Sequence, residues 1–313
     1  MKKGQDKEKD MKYLIEYKNK QQGCLEFLLS KLPESLRTSL TGYFNSQKFK
    51  QIDEIRFKVN SYICLIVENK NIITDIYVSD DMIDNVFNAL CNYSIYAHFN
   101  TIKDGYISVG NGIRASVCGK AVLENEVLTG IHSISSINIR IPNYIPNASN
   151  YLFSLLTKTD FSKSVIVYSS PGVGKTTILR DLIVKIENTL PKIRYAVIDT
   201  KEEIISGINQ SISGDVYLSY PKGLAIELAT RGMTPQYIIC DEISSSSEAV
   251  AINKALNSGV NLVATTHAGS LDDLMSKEIF KGLLNKGIFH YALGVYRNYG
   301  DKHYRFELTE LKN

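Results

Sequence analysis

The sequence predicts an α/β protein whose C-terminal half is a parallel sheet covered by helices on both faces, preceded by a smaller α+β domain. Three observations carry this. A glycine loop, Ser169-Ser170-Pro171-Gly172-Val173-Gly174-Lys175-Thr176-Thr177, lies between an apolar run (Ser164 to Tyr168) and a segment of helical spacing (Ile178 to Val184). A second short apolar run, Tyr237-Ile238-Ile239-Cys240, ends in two acids, Asp241-Glu242. Between and beyond these, strand-like and helix-like segments alternate, the pattern of a parallel sheet.

Taken in order, residues 1–22 are a mixed-charge stretch with no apolar pattern and read as a flexible, solvated arm. From Cys24 the spacing is helical, with Leu25, Phe27, Leu28, Leu29 and Leu32 before Pro33, and a second helix is expected from about Glu34 to Phe44. Gln51 to Asn69 alternates and is rich in branched residues, with a turn at Asn60-Ser61, so it reads as a hairpin. Ile72 to Val78 is a further strand, and Ser79-Asp80-Asp81 caps a helix over Met82 to Cys91. Thr101 to Val122 reads as β structure with turns at Lys103-Asp104-Gly105 and Gly110-Asn111-Gly112, and Ile137 to Ile141 as another strand. Pro142 and Pro146, with Asn143, Asn147 and Asn150, mark a break. The expected domains are therefore 23–145 and 146–313, the second opening with a helix from Tyr151 beneath the glycine loop. Its strands are expected at Val165–Tyr168, Tyr195–Asp199, Tyr237–Cys240, Val260–Thr265 and Tyr291–Val295, with an antiparallel strand at His303–Leu308 closing an edge.

Composition narrows the class. A chain of 313 residues is long enough for two domains, and 44% apolar and 22% charged residues are ordinary for a soluble protein. The net charge of +3 does not by itself point to nucleic acid or an anionic membrane, and no nucleic-acid partner is expected. Five scattered cysteines (Cys24, Cys64, Cys91, Cys118, Cys240) fit reduced, buried thiols in the cytoplasm better than a disulfide framework. The N-terminus is not a signal peptide and no window is apolar for long enough to span a bilayer, so membrane attachment is expected only through a partner.

The chemistry resides in the two motifs. Gly172 and Gly174 let successive backbone N–H groups turn toward one anion, and the following helix adds its N-terminal partial charge. Ser170, Pro171, Val173 and Thr177 complete the loop; Lys175, expected on an exposed loop, reaches the outer phosphates, and the Thr176 hydroxyl can ligate magnesium. Ser169 stands where the usual pattern has its first glycine. Asp241 can hold magnesium through its water shell and Glu242 can polarise an attacking water. The Tyr195–Asp199 strand between the two motifs in sequence places them on non-adjacent strands of a RecA-like sheet. Asp199, Glu202 and Glu203 supply further acids, as site groups or as a solvated loop. Thr266 or His267, at a third strand end, can sense the γ-phosphate. Arg114, Arg140 and Arg231 are candidates for neutralising transition-state charge, against the alternative of ordinary salt bridges.

These motifs resemble the stage III sporulation protein AA family. The resemblance lies in Pro171 to Thr177 with Leu179-Arg180-Asp181, Arg231-Gly232-Met233-Thr234-Pro235, Ile238 to Ile243 and Ala264-Thr265-Thr266-His267. It continues in Glu54-Ile55-Arg56, Tyr96-Ala97, Asp104 to Ile107, Gly119 to Val122 and Ser135 to Ile141, spanning Gln51 to Leu308. It implies a C-terminal RecA-like P-loop ATPase domain similar to type II and type IV secretion ATPases, binding ATP and Mg2+. It further implies a hexameric ring, a membrane-protein partner in a secretion-like channel, and a place in the mother cell during endospore formation. Within that pattern Lys175 and the loop amides bind phosphate, Thr176 and Asp241 hold the metal, Glu242 orients water and His267 reports the γ-phosphate state. Ser169, Ser170, Lys120, Lys201 and Ser244 depart from the family's usual residues, and they bear on hydrolysis more than on binding. A nucleic-acid-stimulated motor and a nucleotide-gated, non-catalytic scaffold are the alternative classes.

Overall fold

A six-stranded antiparallel sheet and a seven-stranded, mostly parallel one hold the chain, in a computed structural model that describes residues 23–47, 52–67, 70–103, 105–142, 145, 147–189, 193–205, 208, 211–257, 259–297 and 303–311. The chain divides into two units, Met1–Tyr144 and Ile145–Asn313. The expected arm at 1–22 lies outside the described residues.

In the first unit the sheet runs β3-β2-β1-β6-β5-β4, from β1 (Glu54–Lys58), β2 (Ser61–Val67), β3 (Lys70–Val78), β4 (Tyr106–Gly110), β5 (Ile113–Glu124) and β6 (Val127–Arg140). Alternation sets its buried face: Ile55 and Phe57 of β1 pack with Ile63 and Leu65 of β2 and Ile137 and Ile139 of β6. Helices over 23–31, Glu34–Gln47 and Asp80–Leu90 supply Leu28, Leu40, Ile83 and Val86 to the same core. The Ser79 hydroxyl accepts from the Met82 N–H at 3.2 Å, as its N-cap position predicts. Two expectations fail. Thr101–Lys103 is helical, within Phe99–Lys103, because Ile102 is buried from one face of a short turn. β6 begins at Val127, ten residues before the expected strand. Its early half pairs with β5 beyond the core, Lys120 opposite His132, where exposed positions leave no alternation to read.

The second unit contains β7 (Val165–Ser169), β8 (Tyr195–Asp199), β9 (Asp215–Leu218), β10 (Tyr237–Glu242), β11 (Asn261–His267), β12 (Tyr291–Tyr296) and β13 (Arg305–Glu310), ordered β13-β12-β7-β11-β10-β8-β9. All pairs are parallel except β12 with β13. Alternate residues feed two separate cores. Ile166, Ile198, Ile238 and Ala264 belong to one; Val165, Val197, Ile239 and Val263 belong to the other. Burial on both faces is why these strands read as unbroken apolar runs. β9 was not expected; it is a four-residue edge strand with no buried residue, so it carries no apolar signal. The two motif strands are non-adjacent, but the strand between β7 and β10 is β11, not Tyr195–Asp199, which lies on the far side of β10. Of the five free cysteines, Cys24, Cys91 and Cys240 are buried, whereas Cys118 is exposed on the protruding ribbon.

Asp181, on the helix Lys175–Thr189 that follows the glycine loop, fixes where the unit begins. It is 1% exposed and accepts from the N–H of Asn147 (3.1 Å), the N–H of Ser149 (2.8 Å) and the Ser149 hydroxyl (2.6 Å), with Lys185 at 3.6 Å. Removing the carboxylate strands these donors next to a buried helix. Asp181→Ala is expected to cost about 2–4 kcal/mol in urea unfolding; a loss below about 1 kcal/mol would show that the contacts contribute little.

Candidate nucleotide site

Parallel pairing brings four strand ends to one edge: Ser169 of β7, His267 of β11, Asp241-Glu242 of β10 and Asp199 of β8. Ser169 and His267 are direct register partners. After Ser169 the chain turns through Gly172 (φ 76°) and Gly174 (φ 123°) into the 15-residue helix Lys175–Thr189, whose N-terminus faces the loop. Gly174 is required twice over, since its φ favours glycine and a Cβ there would lie 2.3 Å from the Tyr304 hydroxyl.

Lys175 is buried, at 7% exposure, not displayed on an exposed loop as expected. Its ammonium donates to the Ser169 carbonyl (3.1 Å), the Ser169 hydroxyl (3.2 Å) and His267 Nδ1 (2.7 Å). His267 Nε2 lies 3.3 Å from Glu242 Oε2. A neutral imidazole protonated on Nε2 satisfies both contacts, accepting from the lysine and donating to the glutamate. Lys175, His267 and Glu242 thus form one continuous chain of polar contacts from the start of the helix after β7 to the ends of β11 and β10. Lys277 donates to the His267 carbonyl. Ser169 hence does more than replace a glycine, for its hydroxyl, which also donates to the Ser170 carbonyl (2.9 Å), is a resting partner of the lysine.

Asp241 has both oxygens engaged: Oδ2 accepts from the Thr200 N–H (3.0 Å), and Oδ1 is ion-paired with Lys222 Nζ at 2.6 Å. Asp199, fully buried, accepts from the N–H groups of Glu203, Ile204 and Ile205, each at 2.9 Å. It shapes the loop after β8 and presents nothing to a ligand. Burial, reinforced by the charge of Asp241, raises its pKa to about 6 despite those donors. Glu202 receives the Ser219 hydroxyl at 2.6 Å, and Arg180 donates to the Glu203 carbonyl at 2.8 Å.

The arginines are placed differently. Arg114 and Arg140 are cross-strand partners in the first unit. The Arg114 guanidinium lies 3.6 Å from the Tyr106 ring centroid, and Arg140 is 3.4 Å from Glu54. Arg231 sits in a π-turn, Ala229–Met233, 4.0 Å from Glu227. That turn precedes the start of β10, so Arg231 lies toward the sheet edge opposite Glu242. Sequence reading missed Lys222 and Tyr304. Nothing local flags either one, since their roles arise from strand order.

The residues fit a magnesium nucleotide. The loop offers N–H groups and a helix N-terminus to phosphate, and half-buried Thr176 is the second residue of that helix. Among the described residues no cluster of three or more His, Cys, Asp or Glu side chains could hold a metal alone. A bound divalent ion would draw much of its coordination from phosphate and water, as magnesium does.

The model of the family described as sporulation stage III, protein AA matches residues 19–301. The chain belongs to that family. It is 29% identical over 279 residues to stage III sporulation protein AA of Bacillus subtilis (strain 168), covering 86% of this chain and 90% of that one. Among solved structures it resembles the Legionella pneumophila ATPase DotB (TM-score 0.54, 16% identity, 84% of this chain and 77% of that one). It also resembles the pilus retraction motor PilT with bound ADP (TM-score 0.59, 14% identity, 84% and 80%). The fold is thus α/β, with a C-terminal RecA-like P-loop domain after a smaller α+β unit. No helix among the described residues is long and apolar enough to cross a membrane.

Burial lowers the Lys175 pKa to about 8, an effect opposed by Glu242 and reinforced by Lys277. The folded chain therefore releases this proton more readily than the unfolded chain. Lys175 costs stability while it is charged, and the cost is relieved as pH rises from about 8 toward the ordinary lysine value. The stability of the parent relative to Lys175→Met should therefore improve by about 2 kcal/mol between pH 7 and pH 10, read from paired denaturation curves. A flat difference would mean that Lys175 is well solvated.

Proposed function

We propose that this chain is an ATP-hydrolysing motor, in which water attacks the γ-phosphorus, the bond to the bridging oxygen breaks, and ADP and phosphate leave. The observation that carries the reading is the chain Lys175–His267–Glu242 across the mouth of the glycine loop. The N–H groups of the loop from Ser170 to Thr177 cradle phosphate. Lys175, already desolvated and anchored by Ser169, transfers its ammonium from His267 to a phosphate oxygen. That transfer frees His267 Nδ1 and so alters how the imidazole holds Glu242, which makes His267 the reporter of γ-phosphate. Glu242, with its side chain 29% exposed, can reach a water and orient it. Thr176, through its hydroxyl, and Asp241 would hold magnesium. When bound, the metal neutralises phosphate charge and draws electron density from the breaking bond.

The family points to a role in sporulation. We place the motor in the mother cell, as a hexameric ring docked on a membrane protein of a secretion-like channel. A ring also gives the arginines a purpose, because the planar fork of Arg114, Arg140 or Arg231 can hold two phosphate oxygens of a neighbouring copy's nucleotide.

Two experiments test this. Glu242→Gln is expected to keep ATP affinity and lose ~10²–10⁴-fold in turnover, measured by phosphate release and nucleotide binding; parental turnover would move the water-orienting role to another acid. Arg114→Ala, Arg140→Ala and Arg231→Ala should each be compared with the parent, and at least one is expected to lower turnover ~10³-fold with little change in binding. Activity regained on mixing that variant with Lys175→Ala protein would place the arginine across a subunit boundary. Three fully active variants would return all three to salt bridges and stacking.

A further inference from the structure

Lys222 opens a short helix, Lys222–Leu228, directly after Pro221, yet its side chain is only 4% exposed. A buried ammonium has three N–H donors to satisfy. Here the ammonium donates to the Glu242 carbonyl and is ion-paired with Asp241 Oδ1 at 2.6 Å and Glu248 Oε1 at 3.6 Å. Each acceptor belongs to the reacting edge. Asp241 and Glu242 end β10, and Glu248 caps the next helix, its Oε2 accepting from the N–H groups of Ser244 (2.7 Å) and Ser245 (3.0 Å). Asp241 Oδ1 is ion-paired with Lys222 at 2.6 Å but accepts no hydrogen bond among the described residues, and Oδ2 accepts from the Thr200 N–H.

We propose that Lys222 is a positioning residue of the nucleotide site, an internal cation that offsets the charge of Asp241 and pins the Glu242 main chain. Asp241 therefore meets magnesium only weakly, through water, while Glu242 carries the outward-facing carboxylate. The inference rests on the ATPase reading and adds a consequence to it. A fixed positive charge beside the metal position weakens divalent-ion binding by Coulomb repulsion. It keeps magnesium exchangeable with product in a site that must empty each cycle. Loss of a merely structural lysine would loosen the site and weaken metal binding. Loss of an internal counter-charge would strengthen it.

The two outcomes separate in one measurement. A fluorescent ATP analogue is bound to the full chain and titrated with magnesium, with folding checked by circular dichroism. Lys222→Met is expected to lower the half-saturating magnesium concentration by about tenfold. Lys222→Gln, which keeps donors and removes charge, should shift it in the same direction, and Lys222→Arg should stay within about threefold of the parent. Adding Asp241→Asn to Lys222→Met should cancel the gain, since the released carboxylate is then gone. An unchanged or raised magnesium requirement in a folded neutral variant overturns the proposal. A parent chain that binds no nucleotide at any magnesium concentration overturns the ATPase reading, and this inference with it. Normal parental binding with no shift in the variants overturns the inference alone.

Discussion

Lys175 carries a charge that cannot stay buried without partners, and the reacting edge of the sheet is built around meeting that need. The lysine is held by the carbonyl and hydroxyl of Ser169 and by His267. These partners come from adjacent parallel strands whose ends coincide in register. The third strand then closes the network through Glu242. A group that is costly to bury and only partly compensated is poised to accept a better partner. In the function proposed here, a phosphate at the glycine loop would be such a partner, and its arrival would disturb the histidine and, through it, the glutamate. On that proposal, phosphate binding and water orientation are linked by shared hydrogen bonds.

A second buried lysine gives the edge its charge balance. Lys222 is surrounded by Asp241, the Glu242 carbonyl and Glu248. Burial disfavours its ammonium, but the ionisable neighbours on β10 and the following helix outweigh this and hold its pKa above the usual lysine value. The acids of the edge thus divide by environment. Asp199 serves the backbone of the loop beyond β8, Asp241 is held by a lysine and an amide, and Glu242 alone combines a histidine contact with partial exposure. The three acids are similar in sequence, each at or after a strand end, and become chemically distinct only through what packs against them.

Much of the fold could be read from the chain. The strands of the second unit were legible because both of their faces are buried, which forces continuous apolar runs such as Val165-Ile166-Val167 and Tyr237-Ile238-Ile239-Cys240. The first-unit hairpin of β1 and β2 was legible from its alternation and the turn at Asn60, where φ is 58°. β9 and the outer half of the β5–β6 ribbon were not, because exposed strands need only backbone pairing and leave no side-chain pattern. Thr101–Lys103 was misread for a related reason: a single buried isoleucine in a short segment fits either period.

The sequence by itself determined the glycine loop, since positive φ at Gly172 and Gly174 favours glycine, and a lysine followed by a threonine opens the helix beside them. It also determined that acids would end a strand of the same sheet. Only the tertiary structure decided which groups touch. Strand order put β11 between the two motifs and so inserted His267 between Lys175 and Glu242. The same order carried Lys222, distant in sequence from both motifs, beneath Asp241, and set Tyr304 against Gly174. Local sequence encodes backbone conformation and burial, which act over a few residues. Pairing of charges across strands depends on sheet order and register, which are settled by the packing of the whole unit.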